Sequence, residues 1–461
     1  MKIPAVKGTR DFYPEDMAVR NWIIDGWKRV SLRNGFQEYD GPIFEYLKMF
    51  QIKSGDEIVE QLFSLKDRGG RDLALRPEIT PTLARMVNQR INSLPRPIKW
   101  FSVPRLFRAE RPQKGRLREF FQWNIDIIGE TNAFGKILAD AEVIFATVDY
   151  LRSVGLADND IKVKISSREL LSAYLKALGA SEEKLESIYA VLDKKAKLPP
   201  ETFEALLKEQ FPEPAGFKEM VNNVLQFMNV GSMKELEQFT KKHGLTMGSP
   251  YNDMEMLFYQ LDNMGVGNFC KYEPGIVRGL AYYTGIVFEV HDIRGDLRAI
   301  CGGGRYDNLL KNFGGPAIPA TGMGMGDCVL EILLKEKGLL EKRVPKKQTD
   351  YFVASLGVGT AAGDNVHHRF AQRTGIAPSS MGAIEAVYRI IAELRLRGKS
   401  ANFSYKMGTI SSQLKQASEQ NAKYCIIIGD EFKENKLAIK DMATGQQELI
   451  EVDKFFEKIR S

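Results

Sequence analysis

The chain has 461 residues, of which 44% are apolar and 27% are charged, and its net charge of +6 only mildly favours a polyanionic partner. This length predicts two or three domains, and the composition is typical of a soluble globular protein. No apolar run reaches the roughly 18 residues of a membrane span, the start lacks the apolar core of a signal peptide, and the four cysteines form no CxxC pair. We therefore expect a reduced, cytoplasmic protein without a metal site.

The N-terminal region alternates helix and strand patterns. Apolar spacing predicts a helix over residues 17–35 and a strand over 36–46. A Gly-Gly turn predicts a hairpin over 63–76, and the pair Thr80-Pro81 predicts the start of a helix. Residues 98–130 alternate apolar and polar side chains on both sides of the loop RPQKG, which predicts a long β-hairpin.

This hairpin is strongly basic. Segment 100–118 carries six Lys or Arg side chains and one acid, Glu110. Arginine binds phosphate in a bidentate way and stabilises charge that grows at phosphorus, so the segment fits a phosphate-facing surface. A merely basic hairpin fits the residue types about as well. Walker, dinucleotide-binding and kinase signatures are absent from the sequence, so a nucleotide would bind through side chains of this sheet.

Acidic residues also occur in otherwise apolar surroundings. Asp126 lies in WNIDIIG, where a buried carboxylate is costly unless it meets a cation or a donor. Glu78 precedes the helix predicted at Thr80 and is equally compatible with a simple preference for that N-terminus. Together with Tyr282 and Tyr283, these acids would suit a small cationic or amphoteric ligand with N–H donors.

The second half of the chain changes pattern three times. Residues 168–262 read as consecutive amphipathic helices, which indicates an inserted helical module. Strand patterns return over 275–310 and end in a Gly-rich strand that runs into a helix. Beyond a linker at 336–350, strands and helices alternate, which predicts a small α/β domain around a mainly parallel sheet. Within it, residues 357–382 exceed an ordinary βα loop of about 2–6 residues and predict an insertion.

Six segments in chain order carry a family signature: KGTRDFYPED, RPEIT, FRAERPQKGRLREFFQWNID, VRGLAYYTG, CGGGRYD and GMGMGD. Together they resemble the histidyl-tRNA synthetases, which are class II aminoacyl-tRNA synthetases, over essentially the whole chain. The fold class that this resemblance implies is α+β. It consists of a class II antiparallel sheet flanked by helices, a helical insertion, and a C-terminal α/β anticodon-binding domain.

The resemblance also implies a domain order. The catalytic domain would have a first part, 1–167, with motifs 1 and 2, and a second part, 263–335, with the histidine motifs and motif 3. The helical insertion, 168–262, would lie between them. A linker, 336–350, would lead to the anticodon-binding domain, 351–461.

The activity implied by the resemblance has two steps. L-histidine and ATP give histidyl-adenylate, and the histidyl group is then transferred to the 3′ end of tRNA(His). ATP would be a substrate accompanied by Mg²⁺, with no tightly bound cofactor. Members of the family are homodimers, and the apolar strands of the N-terminal region fit one.

Motif matching carries over residue roles. The catalytic pair would be Arg108, on the α-phosphate, and Arg278, which would brace the charge of the transition state. Glu110 and Arg116 would add contacts to ATP, and Gln113 would meet the acceptor end of the tRNA. The histidine-binding pocket would be formed by Glu78, Thr80, Gln122, Asp126, Tyr282 and Tyr283.

Two positions depart from the family pattern. Ala281 stands where members usually carry an acid, and Val329 stands where motif 3 carries an arginine that contacts ATP. An alternative is therefore a non-aminoacylating paralogue such as the regulatory subunit of ATP phosphoribosyltransferase, which generally lacks the anticodon-binding domain. A third hypothesis, an RNA-binding protein without chemistry, needs no intact histidine pocket. The matched Arg108, Arg278 and Gln113 favour the enzyme.

Overall fold

The computed structural model describes residues 3–52, 62–129, 132–192, 198–210, 217–244, 248–277, 283–346, 348–356, 381–406 and 408–459. The chain divides into two compact units, Met1–Val344 and Pro345–Ser461. Most of the predicted insertion at 357–382 lies outside the described residues. In the part of the chain that the structure describes, no helix is long and apolar enough to cross a membrane.

The helices of the first unit are α1 (Pro14–Arg33), α2 (Leu47–Gln51), α3 (Thr80–Arg90), α4 (Ala133–Ser153), α5 (Arg168–Ala177), α6 (Leu185–Leu192), α7 (Pro200–Gln210), α8 (Phe217–Phe227), α9 (Met233–Lys242), α10 (Ser249–Asn263), α11 (Leu309–Asn312), α12 (Asp327–Glu336) and α13 (Leu339–Arg343). Short 3₁₀ turns cover Glu182–Lys184 and Gly267–Phe269. The helix predicted at Thr80 begins there, because Pro81 occupies a first-turn position where its missing N–H costs nothing.

The strands of the first unit are β1 (Gln37–Glu38), β2 (Phe44–Tyr46), β3 (Ser64–Lys66), β4 (Asp72–Leu75), β5 (Ile98–Ser102), β6 (Arg105–Phe107), β7 (Glu119–Ile128), β8 (Ile161–Ser167), β9 (Cys270–Tyr272), β10 (Ile286–Asp292), β11 (Cys301–Arg305) and β12 (Ala320–Gly326). A nine-stranded sheet has the order β1-β5-β7-β12-β11-β10-β8-β9, with β6 also pairing to β7. Its β1-β5 and β8-β9 pairs are parallel, and its other pairs are antiparallel. The predicted antiparallel sheet flanked by helices is confirmed.

One predicted strand, over residues 36–46, is wrong as a single element. The segment Gly41-Pro42 interrupts it, because proline cannot donate to a strand ladder. The first piece, β1, joins the large sheet beside β5. The second piece, β2, joins a separate three-stranded sheet of order β2-β4-β3.

The two faces of the large sheet carry different residues. One face packs against α1 and α4 in the main core through Trp123, Ile125, Phe288, Met323 and Met325. On the other face, Asp126 lies opposite Gly322 and Asn124 opposite Gly324. Directly opposed residues of an antiparallel pair share a face, so polar side chains and glycines together form one surface, and this surface holds the candidate site.

Between residues 168 and 263 the described chain is helical, running from α5 to α10. Its centre is aromatic, with the rings of Tyr174 and Phe227 stacked at 4.3 Å and Phe239 edge-on to both. The predicted boundaries of this region as a domain stay a prediction.

The second unit contains strands β13 (Thr349–Ser355), β14 (Ala401–Phe403), β15 (Ala422–Ile428), β16 (Lys436–Asp441) and β17 (Gln447–Glu451), and helices α14 (Met381–Leu396), α15 (Ile410–Glu419) and α16 (Val452–Lys458). A 3₁₀ turn covers Asp430–Glu434. Strand order is β14-β13-β15-β16-β17.

The expected mainly parallel sheet is only half correct. The β13-β14 and β13-β15 pairs are parallel, whereas β15-β16 and β16-β17 are antiparallel. The sequence analysis missed β17, because four of its five residues are exposed and it shows no apolar alternation. The turn before it is set by Gly445 at φ +76° and by Asp441, whose carboxylate accepts from the backbone N–H groups of Ala443 and Thr444.

Candidate active site

A polar cavity of about 70 Å³ lies on the glycine-bearing face of the large sheet. Six predicted site residues line it, namely Glu78, Thr80, Arg108, Gln122, Asp126 and Tyr283. The other lining residues are Asn124, Gly302, Tyr306, Gly322, Met323 and Gly324. The structure therefore brings together residues from the start of α3, the end of β6, and strands β7, β11 and β12.

Glycines in β12 create room for the polar side chains of β7. A Cβ atom added to Gly322 would lie 2.2 Å from Asp126 Oδ1, and one added to Gly324 would lie 2.9 Å from the Gln122 side chain. Both separations are shorter than any stable contact of a Cβ atom, so side chains at these positions would fill the cavity. At Gly326, two residues further along, an added Cβ meets nothing within 4 Å.

Asp126 is a buried acid of the cavity. It is 3% exposed, and the hydroxyl of Tyr306 donates a short hydrogen bond to its Oδ1. Burial raises the pKa of Asp126 to about 7, against the opposing effect of the Tyr306 hydrogen bond, and the neighbouring charge of Glu78 raises it further. A carboxyl group with such a pKa takes up or releases a proton near neutral pH, as residues of functional sites often do.

The segment RPEIT is held rigidly beneath the cavity. The buried guanidinium of Arg76 donates to Asp40 Oδ1 at 2.7 Å, to Gly41 O at 2.8 Å and to Arg105 O at 3.1 Å. These bonds tie the segment to the Asp40-Gly41 loop and to the start of β6, so the buried Glu78, two residues later, lies on an anchored segment.

Arg108 places a cation on the same cavity. Its Nε donates to Pro77 O at 3.1 Å, and its guanidinium carbon lies 5.1 Å from the centre of the Phe120 ring. The cavity is thus lined by two carboxylates, on Glu78 and Asp126, and by the guanidinium of Arg108. This arrangement is complementary to a ligand with a cationic group near an anionic one.

Comparison with known families decides the classification. The family model described as histidyl-tRNA synthetase matches residues 8–326, more than half of the chain. The chain belongs to the histidyl-tRNA synthetase family. A second model, described as anticodon binding domain, matches residues 374–461.

Individual relatives agree with this classification. The histidine–tRNA ligase of Opitutus terrae is 37% identical over 442 residues, which are 95% of this chain and 94% of that protein. A histidyl-tRNA synthetase structure from Nostoc sp. PCC 7120 has a TM-score of 0.74 at 22% identity and covers 100% of this chain and 99% of that one. A structure described as an ATP phosphoribosyltransferase regulatory subunit/histidyl-tRNA synthetase, from Bacillus halodurans C, has a TM-score of 0.68 at 21% identity and covers 93% of this chain and 100% of that one. The two structural likenesses show the fold alone, and they confirm the predicted fold class.

In this histidyl-tRNA synthetase family member, the motif 2 loop contributes three predicted site residues that do not line the cavity, namely Glu110, Gln113 and Arg116. Glu110 forms a short ion pair with Arg116, and Gln113 Oε1 accepts a short hydrogen bond from Arg298. Arg298, in the turn between β10 and β11, was not found by sequence reasoning, because it lies 185 residues from its partner. The contacts of Glu110 and Arg116 with ATP and of Gln113 with tRNA stay predictions.

The histidine-specific segment VRGLAYYTG is described only in part. Tyr283 is 7% exposed and lines the cavity. Arg278, Ala281 and Tyr282 lie outside the described residues, so their predicted roles rest on the motif match. The motif CGGGRYD carries a further cavity residue, Tyr306, to which the sequence assigned no role. Its position directly after a glycine-rich strand could have indicated a hydroxyl group at the site.

The start of α12 replaces the family's motif 3 arginine with apolar and acidic groups. Val329 is 8% exposed and packs under the tip of the motif 2 loop, where a Cβ added to Gly115 would lie 2.9 Å from Val329 Cγ2. Asp327 binds Arg10 in a short ion pair and accepts the Phe121 N–H at 3.0 Å. The Asp327 carboxylate therefore joins the N-terminal segment to β7.

Proposed function

We propose that this chain is a histidine–tRNA ligase. It activates L-histidine with ATP to histidyl-adenylate and transfers the histidyl group to the 3′ end of tRNA(His). The observation that carries the proposal is that Glu78, Asp126 and Arg108 line one cavity. An amino acid whose carboxylate attacks a phosphate presents its ammonium group to acids while the reacting phosphate meets a guanidinium.

Adenylate formation needs positioning and charge stabilisation rather than proton transfer. The histidine carboxylate attacks the α-phosphorus, and pyrophosphate leaves from the opposite side. Arg108, fixed by Pro77 O and the Phe120 ring, would stabilise the charge on the phosphoryl oxygens. We assign Arg278 the opposite side of that phosphate by its place in VRGLAYYTG. In the second step the tRNA 3′-terminal hydroxyl attacks the histidyl carbonyl, the bond to the adenylate phosphate breaks so that AMP leaves, and the hydroxyl proton passes to the leaving phosphate or to water.

Histidine recognition is assigned to the remaining residues of the cavity. Glu78 and Thr80 would hold the α-ammonium group, and Gln122, Asp126, Tyr282 and Tyr283 would surround the imidazole. Binding of an imidazole by hydrogen bonds excludes apolar amino acids, because they would leave these buried polar groups unpaired. Such discrimination makes a separate editing site unnecessary.

We assign Arg116 and Glu110 to the ATP side of the site. Because Arg116 is paired with Glu110, its guanidinium would have to exchange the Glu110 carboxylate for a phosphate of ATP. Among the described residues, no group of three His, Cys, Asp or Glu side chains is placed to hold a metal ion. Mg²⁺ would therefore arrive with the ATP phosphates, which supply ligands that this ion prefers, and it would neutralise phosphate charge.

We further propose a cytoplasmic homodimer. Strands β2 and β3 expose apolar side chains, with Phe44 55%, Tyr46 57% and Leu65 47% accessible. A surface hollow of about 430 Å³ runs along these side chains. A contiguous apolar patch on a three-stranded sheet is typical of a protein–protein interface, and a second copy of the chain is the partner that the family resemblance implies.

The alternative is a regulatory paralogue that binds histidine without charging tRNA. Fold likeness does not separate the two, because both kinds of description occur among the similar structures. The ligase is supported by the anticodon-binding match over residues 374–461 and by the full-length similarity to a histidine–tRNA ligase.

Histidine-dependent exchange of pyrophosphate into ATP tests the proposal. The purified chain should catalyse exchange with histidine, and Arg108→Ala and Arg278→Ala should each slow it by about 100-fold or more. Arg90→Ala, which changes an exposed arginine at the end of α3, should leave it unchanged. Wild-type protein that binds histidine but catalyses no exchange would overturn the ligase and favour the regulatory paralogue.

A further inference from the structure

The second unit presents the carboxyl ends of three parallel strands at one edge. Strands β13, β14 and β15 end at Ser355, Phe403 and Ile428, and their pairing is parallel throughout. In open α/β sheets, ligands bind outside the carboxyl ends of the strands. Aromatic and charged side chains at this edge are therefore candidates for contact with a partner.

Three aromatic residues meet at the end of β14. The ring of Phe403 is buried at 5% exposure, and it contacts Tyr388 of α14 at 5.2 Å and Tyr405 at 4.6 Å between ring centres. Tyr388 and Tyr405 are 52% and 84% exposed. We call Tyr388, Phe403 and Tyr405 the aromatic platform. It consists of two exposed phenol rings supported by a ring of the core.

The chain next to the aromatic platform is fixed by a buried amide. Gln413 of α15 is 0% exposed; its Nε2 donates to Ser355 O at 2.9 Å and to Gly408 O at 2.7 Å, and its Oε1 accepts the Ser355 N–H at 3.1 Å. Tyr405 therefore lies between β14 and a point anchored to the end of β13. Anchoring the backbone near Tyr405 lowers the entropy that is lost when a flat ligand orders this segment.

Positive charge flanks both exposed rings. Arg389 follows Tyr388 and Lys406 follows Tyr405, and both side chains are exposed. One acid, Glu385, lies a turn before Tyr388 on α14. Exposed aromatic faces next to Lys and Arg are the combination that binds single-stranded nucleic acid, since bases stack on the rings while the cations meet phosphates.

We propose that the aromatic platform stacks an unpaired nucleobase of the tRNA anticodon loop, with Arg389 and Lys406 facing the adjacent phosphates. This inference rests on the proposed function, which supplies tRNA as the partner, and it assigns the contact to particular side chains. The ring faces carry the interaction, and the phenol hydroxyls are dispensable for it.

The test compares variants of the full-length protein in two assays. Tyr405→Ala and Tyr388→Ala should each raise KM for tRNA(His) in aminoacylation roughly 5- to 150-fold, the range of one lost base stack. Tyr405→Phe keeps the ring and should behave as wild type. Histidine-dependent pyrophosphate exchange should not change in any of these variants, because it needs no tRNA.

Tyr424→Ala is the matched control. Tyr424 is also exposed, at 38%, and stacks on Tyr351 at 5.6 Å, but both residues lie near the amino ends of their strands. The Tyr424→Ala variant should charge tRNA normally. An RNA minihelix that carries the acceptor stem without an anticodon should be charged equally by wild type and by Tyr405→Ala.

Three results would overturn the inference. They are normal tRNA charging by both alanine variants, a defect in Tyr405→Phe as large as in Tyr405→Ala, or a defect that persists on the minihelix. Failure of the proposed function is distinguishable, because wild-type protein would then show no histidine-dependent exchange at all.

Discussion

Gly322 and Gly324 illustrate how single residues set the size of the cavity. Each takes a position where the facing strand, β7, carries a polar side chain, and neither has room for a Cβ atom. Gly322 and Gly324 thus keep the cavity open by being small, on the side of the site that we assign to histidine.

Replacement of Gly322 by alanine is expected to damage histidine binding. The added methyl group would lie 2.2 Å from Asp126 Oδ1 and 2.7 Å from Ile125 O, so the carboxylate and β7 must move. We expect kcat/KM for histidine to fall by up to about 100-fold and the free energy of unfolding to fall by about 1–3 kcal/mol. Pyrophosphate exchange and urea unfolding measure the two effects. Gly326→Ala, on the same face with open space, is the control, and equal behaviour of both variants would contradict the expectation.

Asp126 should make stability depend on pH. Its pKa of about 7 in the folded protein exceeds the ordinary value of 3.8, so the folded state binds the proton more tightly between these values. The contribution of protonated Asp126 is therefore fully present below about pH 4 and is lost as pH rises through about 7.

Asp126→Asn removes this titration. Between pH 5 and about pH 7 the wild type should lose about 1.4 kcal/mol of unfolding free energy per pH unit through Asp126, and the variant should not. The variant should therefore become more stable relative to wild type between pH 5 and pH 8. Urea unfolding at the two pH values measures it. A difference between the two proteins that is the same at both pH values would show that Asp126 does not titrate in this range.

Strand β11 and helix α4 are joined by one buried arginine. Arg305, the last residue of β11, donates to Asp140 Oδ2 at 3.0 Å and to Asp307 Oδ1 at 3.2 Å, and also to Lys136 O at 2.6 Å. The next residue is Tyr306, whose hydroxyl reaches Asp126. The contact between elements therefore also determines where a cavity side chain lies.

Arg305→Ala should destabilise the fold strongly. It leaves the carboxylate of Asp140, 3% exposed, buried without its cation, which costs about 3–5 kcal/mol of unfolding free energy. Chemical denaturation measures the loss, and a raised KM for histidine should accompany it. Lys241→Ala, which breaks an exposed ion pair with Glu237, should change stability little, and a comparable loss there would argue against the importance of burial.

Local patterns predicted most elements and misjudged those that depend on distant pairing. The β5-β7 hairpin has its own alternation and was found, whereas β17 shows its outer side chains to solvent and has no such pattern. At the site, motif matching found Glu78, Asp126 and Arg108. It could not find that Tyr306 binds Asp126, because the register of three neighbouring strands, β7, β12 and β11, brings those groups together.

At the scale of the whole molecule, the residues that we assign to histidine activation and to the anticodon contact lie in different units. The cavity residues all belong to Met1–Val344, and the aromatic platform belongs to Pro345–Ser461. Each unit has its own hydrophobic core, so loss of the second need not unfold the first.

Deletion of residues 346–461 should therefore spare the first reaction step. We expect histidine-dependent pyrophosphate exchange within about twofold of wild type and kcat/KM for tRNA(His) reduced by at least about tenfold, since the anticodon contact is lost. Exchange and aminoacylation assays on the same preparation measure both. Equal charging by the truncated and complete chains would refute an anticodon role for the second unit.

The pairing of Arg10 with Asp327 has a practical consequence for recombinant protein. Arg10 also bonds Glu331 at 3.2 Å, and Gly8 O accepts the Arg118 N–H at 2.8 Å, so the first residues of the chain support both α12 and the motif 2 loop. Removal of these residues would leave the Asp327 carboxylate, 4% exposed, buried without a counter-ion. Truncation of the first ten residues is thus expected to disturb the motif 2 loop and the start of α12, on the side of the site that we assign to ATP.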